Sequence, residues 1–355
     1  MIHNFNAGPS ILPKPVFEEA ARSVVNFNDT GLSILEIGHR TSLFQAVLDE
    51  AVDLVKELMQ LNSDKEVLFL HGGASTQFAQ VPMNLLRDHE TAAYLDCGVW
   101  GTKAIKEAKL YGNVEIVGTS KDKNYNYIPK DFTVPANAKY FHYTTNNTIE
   151  GTQMHFTPQT HVPLVADMSS DILSTQMAFN QFVLIYAGAQ KNIGAAGVNL
   201  VVVNKDFIGD AGRKLPTMLD YRNHFPSGSM LNTPPVFAIY VCLLTLRWLK
   251  NQGGVGGIEK VNNQKADLLY HTLDELPLFT PTVALEDRSK MNVVFVMEDQ
   301  ELEKEFLDLC KNEGMVGVKG HRNVGGFRIS LYNALPLDSV VSITQLMKHF
   351  ALKKA

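Results

Sequence analysis

The stretch Asp167-Met-Ser-Ser-Asp-Ile-Leu, followed by Tyr186-Ala-Gly-Ala-Gln-Lys191-Asn-Ile-Gly-Ala-Ala-Gly197, decides how the rest of the chain is read. Lys191 follows an apolar run, Phe182-Val-Leu-Ile-Tyr186, and precedes a second one, Val198-Asn-Leu-Val-Val-Val203. Both runs have the length and β-branched content of buried strands. A lysine at such a strand end is not an ordinary solvated charge. Burial disfavours its ammonium form and makes the amine a usable nucleophile toward an aldehyde. Upstream, Asp167 ends another apolar stretch, Val162-Pro-Leu-Val-Ala166. A strand-end carboxylate paired with a strand-end lysine points to pyridoxal phosphate, whose aldehyde joins a lysine and whose ring nitrogen needs an acidic partner. Asp171 is a competing carboxylate, and Asp167 is preferred because it terminates the apolar run.

Working outward, short apolar strands alternate with amphipathic helices. Strands are expected at Glu66–Leu70, Thr91–Leu95, Val114–Val117, Lys139–Tyr143 and 162–166, besides the two around Lys191. Helices are expected at Val16–Val25, from Thr41 or Ser42 through Leu58, at Phe78–Leu86 and at Thr102–Leu110. This alternation predicts an α/β fold with a mainly parallel sheet covered by helices on both faces. Ligands of such sheets sit off the carboxyl ends of the strands. The polar motifs follow strands, so one shared site is expected. His71-Gly-Gly-Ala-Ser-Thr-Gln77 is a glycine-rich passage from strand to helix, of the kind that presents N–H groups to a phosphate. Trp100, in a turn after a strand, could stack on a flat cofactor.

A polar excursion runs from Phe207 to Thr233, and Pro235 opens a long apolar helix. Gly253-Gly-Val-Gly-Gly257 is the best domain boundary, and it gives an N-terminal segment 1–15, a large domain 16–257 and a small C-terminal α+β domain 258–355. The small domain reads helix, strand, helix, strand, strand and helix.

At 355 residues, 45% hydrophobic and 19% charged, the composition is that of a soluble globular protein, expected in the cytoplasm. No apolar run approaches a membrane span of roughly 20 residues. The net charge of −5 and the absence of any basic block argue against nucleic acid. Cys97, Cys242 and Cys310 form no CxxC pair, so neither a metal site nor a disulfide framework is expected. Two basic pairs, His39-Arg40 and His321-Arg322, stand in glycine-flanked loops suited to gripping anionic substrates. Arg328, on the following strand, is read as a residue that supports the substrate-binding groups from behind or as a structural one.

Seven motifs together resemble the phosphoserine aminotransferases, class V members of the fold-type I pyridoxal-phosphate enzymes. They are Asn6-Ala-Gly-Pro-Ser10, Gly38-His-Arg-Thr41, the run His71 to Phe78, Ala166-Asp-Met-Ser-Ser170, Gly188-Ala-Gln-Lys-Asn192, Leu231-Asn-Thr-Pro-Pro235 and the run Lys319 to Ser330. The resemblance spans nearly the whole chain, in order. It implies a seven-stranded large domain and a homodimer with active sites at the subunit interface. The implied reaction is exchange between 3-phosphoserine with 2-oxoglutarate and 3-phosphohydroxypyruvate with glutamate, in serine biosynthesis. Carried over by position, Lys191 is the Schiff-base lysine, Asp167 the ring-nitrogen partner and Trp100 the stacking ring. Ala74, Ser75 and Gln190 cradle the cofactor phosphate, and Thr148 lies beside the ring hydroxyl. Asn232 and Thr233 reach the phosphate from the partner subunit. Arg322 is expected at the substrate α-carboxylate, and His39, Arg40 and His321 at its distal anion. Some members have an arginine where this chain has Ser75, so here N–H and hydroxyl groups would hold the phosphate. The rival readings are another fold-type I aminotransferase, acting on serine or alanine with glyoxylate, and a non-catalytic ligand sensor.

Overall fold

The computed structural model describes residues 2–209 and 211–354. The ends of the expected segments, Met1 and Ala355, lie outside the described residues, as does Asp210 within the polar excursion. A seven-stranded sheet forms the centre, in the spatial order Lys65–His71, Val198–Asn204, Phe182–Gly188, Leu164–Asp167, Phe141–Thr144, Thr91–Asp96 and Asn113–Thr119. Only Val198–Asn204 runs antiparallel to its neighbours; the four remaining pairings are parallel. The expected α/β architecture is thus present.

The two-residue period of the strands sorts their side chains into two layers. Val67, Phe69, Ala166, Ile185, Leu200 and Val202 enter one core, together with Phe44, Val47, Leu48 and Val55 of the helix Ser42–Met59 and Ile239 and Leu243 of Val236–Asn251. Leu68, Leu70, Val165, Leu184, Val201 and Val203 enter the other, against Phe78 and Val81 of the helix Ala74–Leu85 and Ala104 and Ile105 of Val99–Ala108. Both faces are covered, which is why these strands read as nearly continuous apolar runs.

Two of the helices that start earlier than the sequence pattern predicts matter for the site. The helix expected at Phe78 begins at Ala74, and the one expected at Thr102 begins at Val99, so Trp100 sits in a first helical turn and not in the loop before it. The glycines that read as loop are the helix caps, Gly73 and Gly98. At Gly98 an added Cβ would lie 2.6 Å from Asn147 Oδ1, so a larger residue would push this cap off its neighbour.

The second unit carries a three-stranded antiparallel sheet, Thr280–Pro281, Asn292–Val296 and Phe327–Ser330. The helices Gln300–Asn312, capped by the Asp299 carboxylate, and Leu337–Lys354 pack on it. Its core is aromatic: the Phe295 and Phe327 rings stack 5.0 Å apart, with Phe279 and Phe306 edge-on to them. The N-terminal segment reaches across to this unit, for His3–Asn4 pairs with Met315–Val316 and Phe5 is buried in the same core.

The glycine run at 253–257 is not a flexible loop. It is a tight reversal from which the helix Gly254–Glu275 starts, and a Cβ on Gly257 would lie only 2.0 Å from the Gln252 carbonyl oxygen. That helix carries Val255 and Ile258 into the large core and Ala266, Leu269 and Leu273 into the small one. No described helix is long and apolar enough to cross a membrane.

On the same helix Lys265 is completely buried, its ammonium donating to the carbonyls of Leu331, Tyr332 and Leu335 at 2.7, 2.8 and 3.2 Å. Burial pushes its pKa down to about 7. Between about pH 7 and the ordinary lysine range the unfolded chain therefore binds the extra proton, and this residue's contribution to unfolding free energy rises with pH. Lys265→Met should lower stability by about 2–3 kcal/mol through the loss of its hydrogen bonds to three buried carbonyls, of which that of Tyr332 keeps the Leu335 N–H. It should also flatten the rise in stability between pH 7 and 10, as urea titrations at several pH values would measure. An unchanged slope would contradict the assignment.

Candidate active site

Three parallel strands end together. The carboxyl ends of Phe141–Thr144, Leu164–Asp167 and Phe182–Gly188, and the first turns of the helices Ala74–Leu85 and Val99–Ala108, converge on a cavity of about 270 Å³. Its lining includes Ala74, Ser75, Trp100, Thr148, Asp167, Gln190, Lys191 and His321. Eight of the positions expected from sequence therefore meet in one place. The cavity sits where a sheet of this kind presents its ligand.

Lys191 and Asp167 form its chemical axis. Burial lowers the Lys191 amine to about 8, partly opposed by the charges of Asp167 and Asp171 and reinforced by Arg328. Asp167 is buried at the last position of its strand. Burial raises its pKa, while the Ser169 N–H, donating to Oδ1 at 2.9 Å, and the nearby Lys191 charge favour its ionised form. Asp171, the competing carboxylate, is turned to other partners. Thr145 Oγ1 and Gln153 Nε2 donate to it, and burial raises its pKa to about 7. It does not line the cavity. The loop of Lys191 is itself fixed from the N-terminal segment, where the Ser10 N–H donates to the Gln190 carbonyl and the Ser10 hydroxyl to that of Lys191.

The indole N–H of Trp100 donates to Thr148 Oγ1 at 2.9 Å, and the Lys191 Nζ lies 5.9 Å from the indole ring centroid. At the opposite edge, Gly73 caps its helix without any side-chain oxygen, leaving the first-turn N–H groups at Ala74 and Ser75 to face the cavity. Such a terminus attracts an anion through N–H groups and helix dipole together. A buried carboxylate, a depressed amine, a flat indole and an open helix terminus make a donor set that fits pyridoxal phosphate.

Other expected residues lie elsewhere. His39 is half-buried and Arg40 exposed, with Arg40 Nε donating to His39 Nε2 at 3.3 Å, and neither lines the cavity. Asn232 and Thr233 gather around His71, whose Nε2 lies 3.2 Å from Asn232 Nδ2 and 2.9 Å from the Thr233 carbonyl oxygen. They too stand outside this chain's cavity. Arg322 projects to solvent from the turn closed by the Val324 and Gly325 N–H groups on the His321 carbonyl. The arginine that does enter the cavity is Arg328, expected from sequence only in a supporting or structural role. Its Nη1 donates to the Thr148 carbonyl at 2.9 Å, and its buried Nε has no partner among the described residues. The signal for it is strand alternation: Phe327 and Ile329 face the small core, which turns Arg328 the other way. His321 has its pKa lowered by partial burial and then by the positive charges of Arg328, Arg322 and Lys103.

The profile of the family described as aminotransferase class-V matches residues 2–341. A phosphoserine aminotransferase of Flavobacterium johnsoniae is 55% identical over 347 residues, covering 98% of each chain. The solved structure of the phosphoserine aminotransferase from Bacillus circulans subsp. alkalophilus superposes with a TM-score of 0.97 at 43% identity, covering 100% of this chain and 99% of that one. A pyridoxal-phosphate-bound phosphoserine aminotransferase from Trichomonas vaginalis superposes with a TM-score of 0.93 at 33% identity, covering 98% and 100%.

The titration of Lys191 checks the electrostatics. On cofactor-free protein, borohydride trapping of a small aldehyde on the peptide containing Lys191 should rise with pH around a midpoint of about 8. Asp167→Asn removes a charge that favours the ammonium and should move that midpoint downward. A midpoint in the ordinary lysine range, or an upward move, would contradict this account.

Proposed function

We infer the reaction of this chain from a plain premise: it belongs to the class-V aminotransferase family. It is a pyridoxal-phosphate-dependent transaminase with the activity of the phosphoserine aminotransferases, moving an amino group between 3-phosphoserine with 2-oxoglutarate and 3-phosphohydroxypyruvate with glutamate. We place it in the cytoplasm. The roles of individual residues that follow are our proposal, as is the division into a segment 1–15, a large domain 16–257 and a small domain 258–355. The observation that carries them is the convergence of Lys191, Asp167, Trp100 and the open helix terminus at Ala74 on one cavity.

Bound pyridoxal phosphate supplies a reactive aldehyde carbon and an electron-withdrawing ring. Lys191 is its attachment point and, once displaced by the amino donor, the base that takes the proton from the substrate α-carbon and returns it to the acceptor. An amine depressed to about 8 is suited to both directions of that transfer. Asp167 keeps the ring nitrogen protonated, and its buried carboxylate is strengthened for that task by low dielectric. Ala74 and Ser75 hold the phosphate by N–H and hydroxyl groups, with Gln190 beside them; Thr148 and Trp100 fix the ring.

For the substrate carboxylate we favour Arg328 over Arg322. Arg328 lines the cavity with an unpartnered Nε, whereas Arg322 faces solvent. His39, Arg40, Asn232 and Thr233 are assigned to the active site of a partner subunit in a homodimer, because within one chain they lie outside the cavity. Their side chains then complete the phosphate cradle and the distal-anion site across the interface.

Two experiments test this reading. Phosphoserine should be turned over far faster than serine as amino donor, with 2-oxoglutarate as acceptor; equal rates would remove the phosphate from the account. Arg40→Ala and Lys191→Ala proteins, each inactive alone, should recover about a quarter of the wild-type rate when refolded together, since half the dimers would be mixed and each would have one complete site. No recovery in confirmed mixed dimers would place Arg40 in its own chain's site.

A further inference from the structure

The mouth of the cavity carries a cation that none of the sequence motifs contains. Lys103 stands one helical turn beyond Trp100 on the helix Val99–Ala108, exposed, with its Nζ 4.4 Å from the Trp100 ring centroid. Among the described residues it has no carboxylate partner. Across from that helix lies the turn that begins at His321. Val99 and Glu150 on one side and Asn323 and Val324 on the other enclose a cleft of about 480 Å³, so the turn and the start of the helix face each other. His321 itself lines the catalytic cavity and feels the positive charge of Lys103. The rim therefore concentrates positive charge from Lys103, Arg322 and Arg328 around a His321 imidazole that they hold toward its neutral form, without an acidic group paired to Lys103.

We propose that Lys103 is a substrate-reading residue, which together with His321 and Arg322 receives the phosphate of phosphoserine at the mouth of the cavity. The inference rests on the reading that phosphoserine is the amino donor. The chemistry favours a lysine here: its ammonium is a compact point charge that can meet a phosphate from several directions. The indole beneath it restricts its stem through a cation–π contact, so less rotamer freedom is lost when the anion arrives. A phosphate near neutrality carries a charge of about −1.5 to −2, against −1 for the far carboxylate of glutamate, so the phosphorylated substrate gains more from an added cation. A lysine that merely packs on Trp100 would show no such difference between substrates.

Lys103→Gln and Lys103→Arg, studied as holoenzymes, separate the two cases. At low ionic strength Lys103→Gln should raise KM for phosphoserine about fivefold while kcat stays within about twofold, and should raise KM for glutamate by a smaller factor. The difference from wild type should shrink as salt is added, Lys103→Arg should recover most of the loss, and Tm and the cofactor absorbance should be unchanged. An unaltered KM for phosphoserine in Lys103→Gln would overturn the proposal. Equal losses for both substrates, or a loss that Lys103→Arg fails to recover, would also overturn it. A wild-type enzyme that accepts serine as readily as phosphoserine overturns the premise instead, and that comparison is read before any variant.

Discussion

An amine taken out of water opposite a buried carboxylate is the constraint on which the structure turns. Asp167 ends its strand and Lys191 stands in the turn just past the end of the neighbouring parallel one, and each shifts the other's proton affinity against the larger effect of burial. Neither charge would be tolerated at a sheet end without the other and without the polar backbone around it. The sheet supplies this arrangement because adjacent parallel strands bring their carboxyl ends to one edge. The two core layers make the strand ends rigid, which fixes Asp167 directly, while Lys191, in the turn after its strand, is held by the Ser10 hydrogen bonds to the Gln190 and Lys191 carbonyls.

Around that axis, charge is distributed by type. The open helix start at Ala74 and the uncharged Ser75 stand at one end of the cavity, where N–H groups can take an anion without a competing counter-ion. Guanidinium and imidazole groups gather at the substrate end, where Arg328 leans on the Thr148 carbonyl and keeps one nitrogen free. Thr148 joins the two ends, since its hydroxyl accepts from Trp100 while its carbonyl accepts from Arg328. Movement of the small unit that carries Arg328 would therefore be felt at the stacking indole. The helix Gly254–Glu275, with one end in each core, is the mechanical link between the units.

Much of this was legible in the sequence, and the exceptions have physical causes. Six of the seven strands appear as apolar runs because they are covered on both faces, the edge strand Asn113–Thr119 being largely open to solvent, and Lys191 and Asp167 stand out because each closes such a run. Ala74 and Ser75 were readable as a phosphate loop, but not as the first turn of a helix, because glycine marks a loop and a helix cap alike. The same ambiguity hid the helical start at Gly254. Arg328 reads from the sequence only as a supporting or structural residue, since a charge inside a short strand does not tell which face it takes; Phe327 and Ile329, buried in the small core, show that it faces the cavity. Arg322 was favoured for its place in a glycine-flanked motif, yet the turn that carries it directs it outward. His39, Arg40, Asn232 and Thr233 could be recognised as motif residues, but a single chain's sequence does not say in which subunit's site they act.

The most direct measurement is the location of the cofactor's covalent bond. Reduction of the holoenzyme with borohydride, followed by proteolysis and mass spectrometry, should find the phosphopyridoxyl group on the peptide that contains Lys191. It should be absent from Lys65 and Lys265, whose buried amines donate to backbone carbonyls away from the cavity. A stoichiometric adduct on any lysine other than Lys191, or none at all in protein that turns over phosphoserine, would contradict the account.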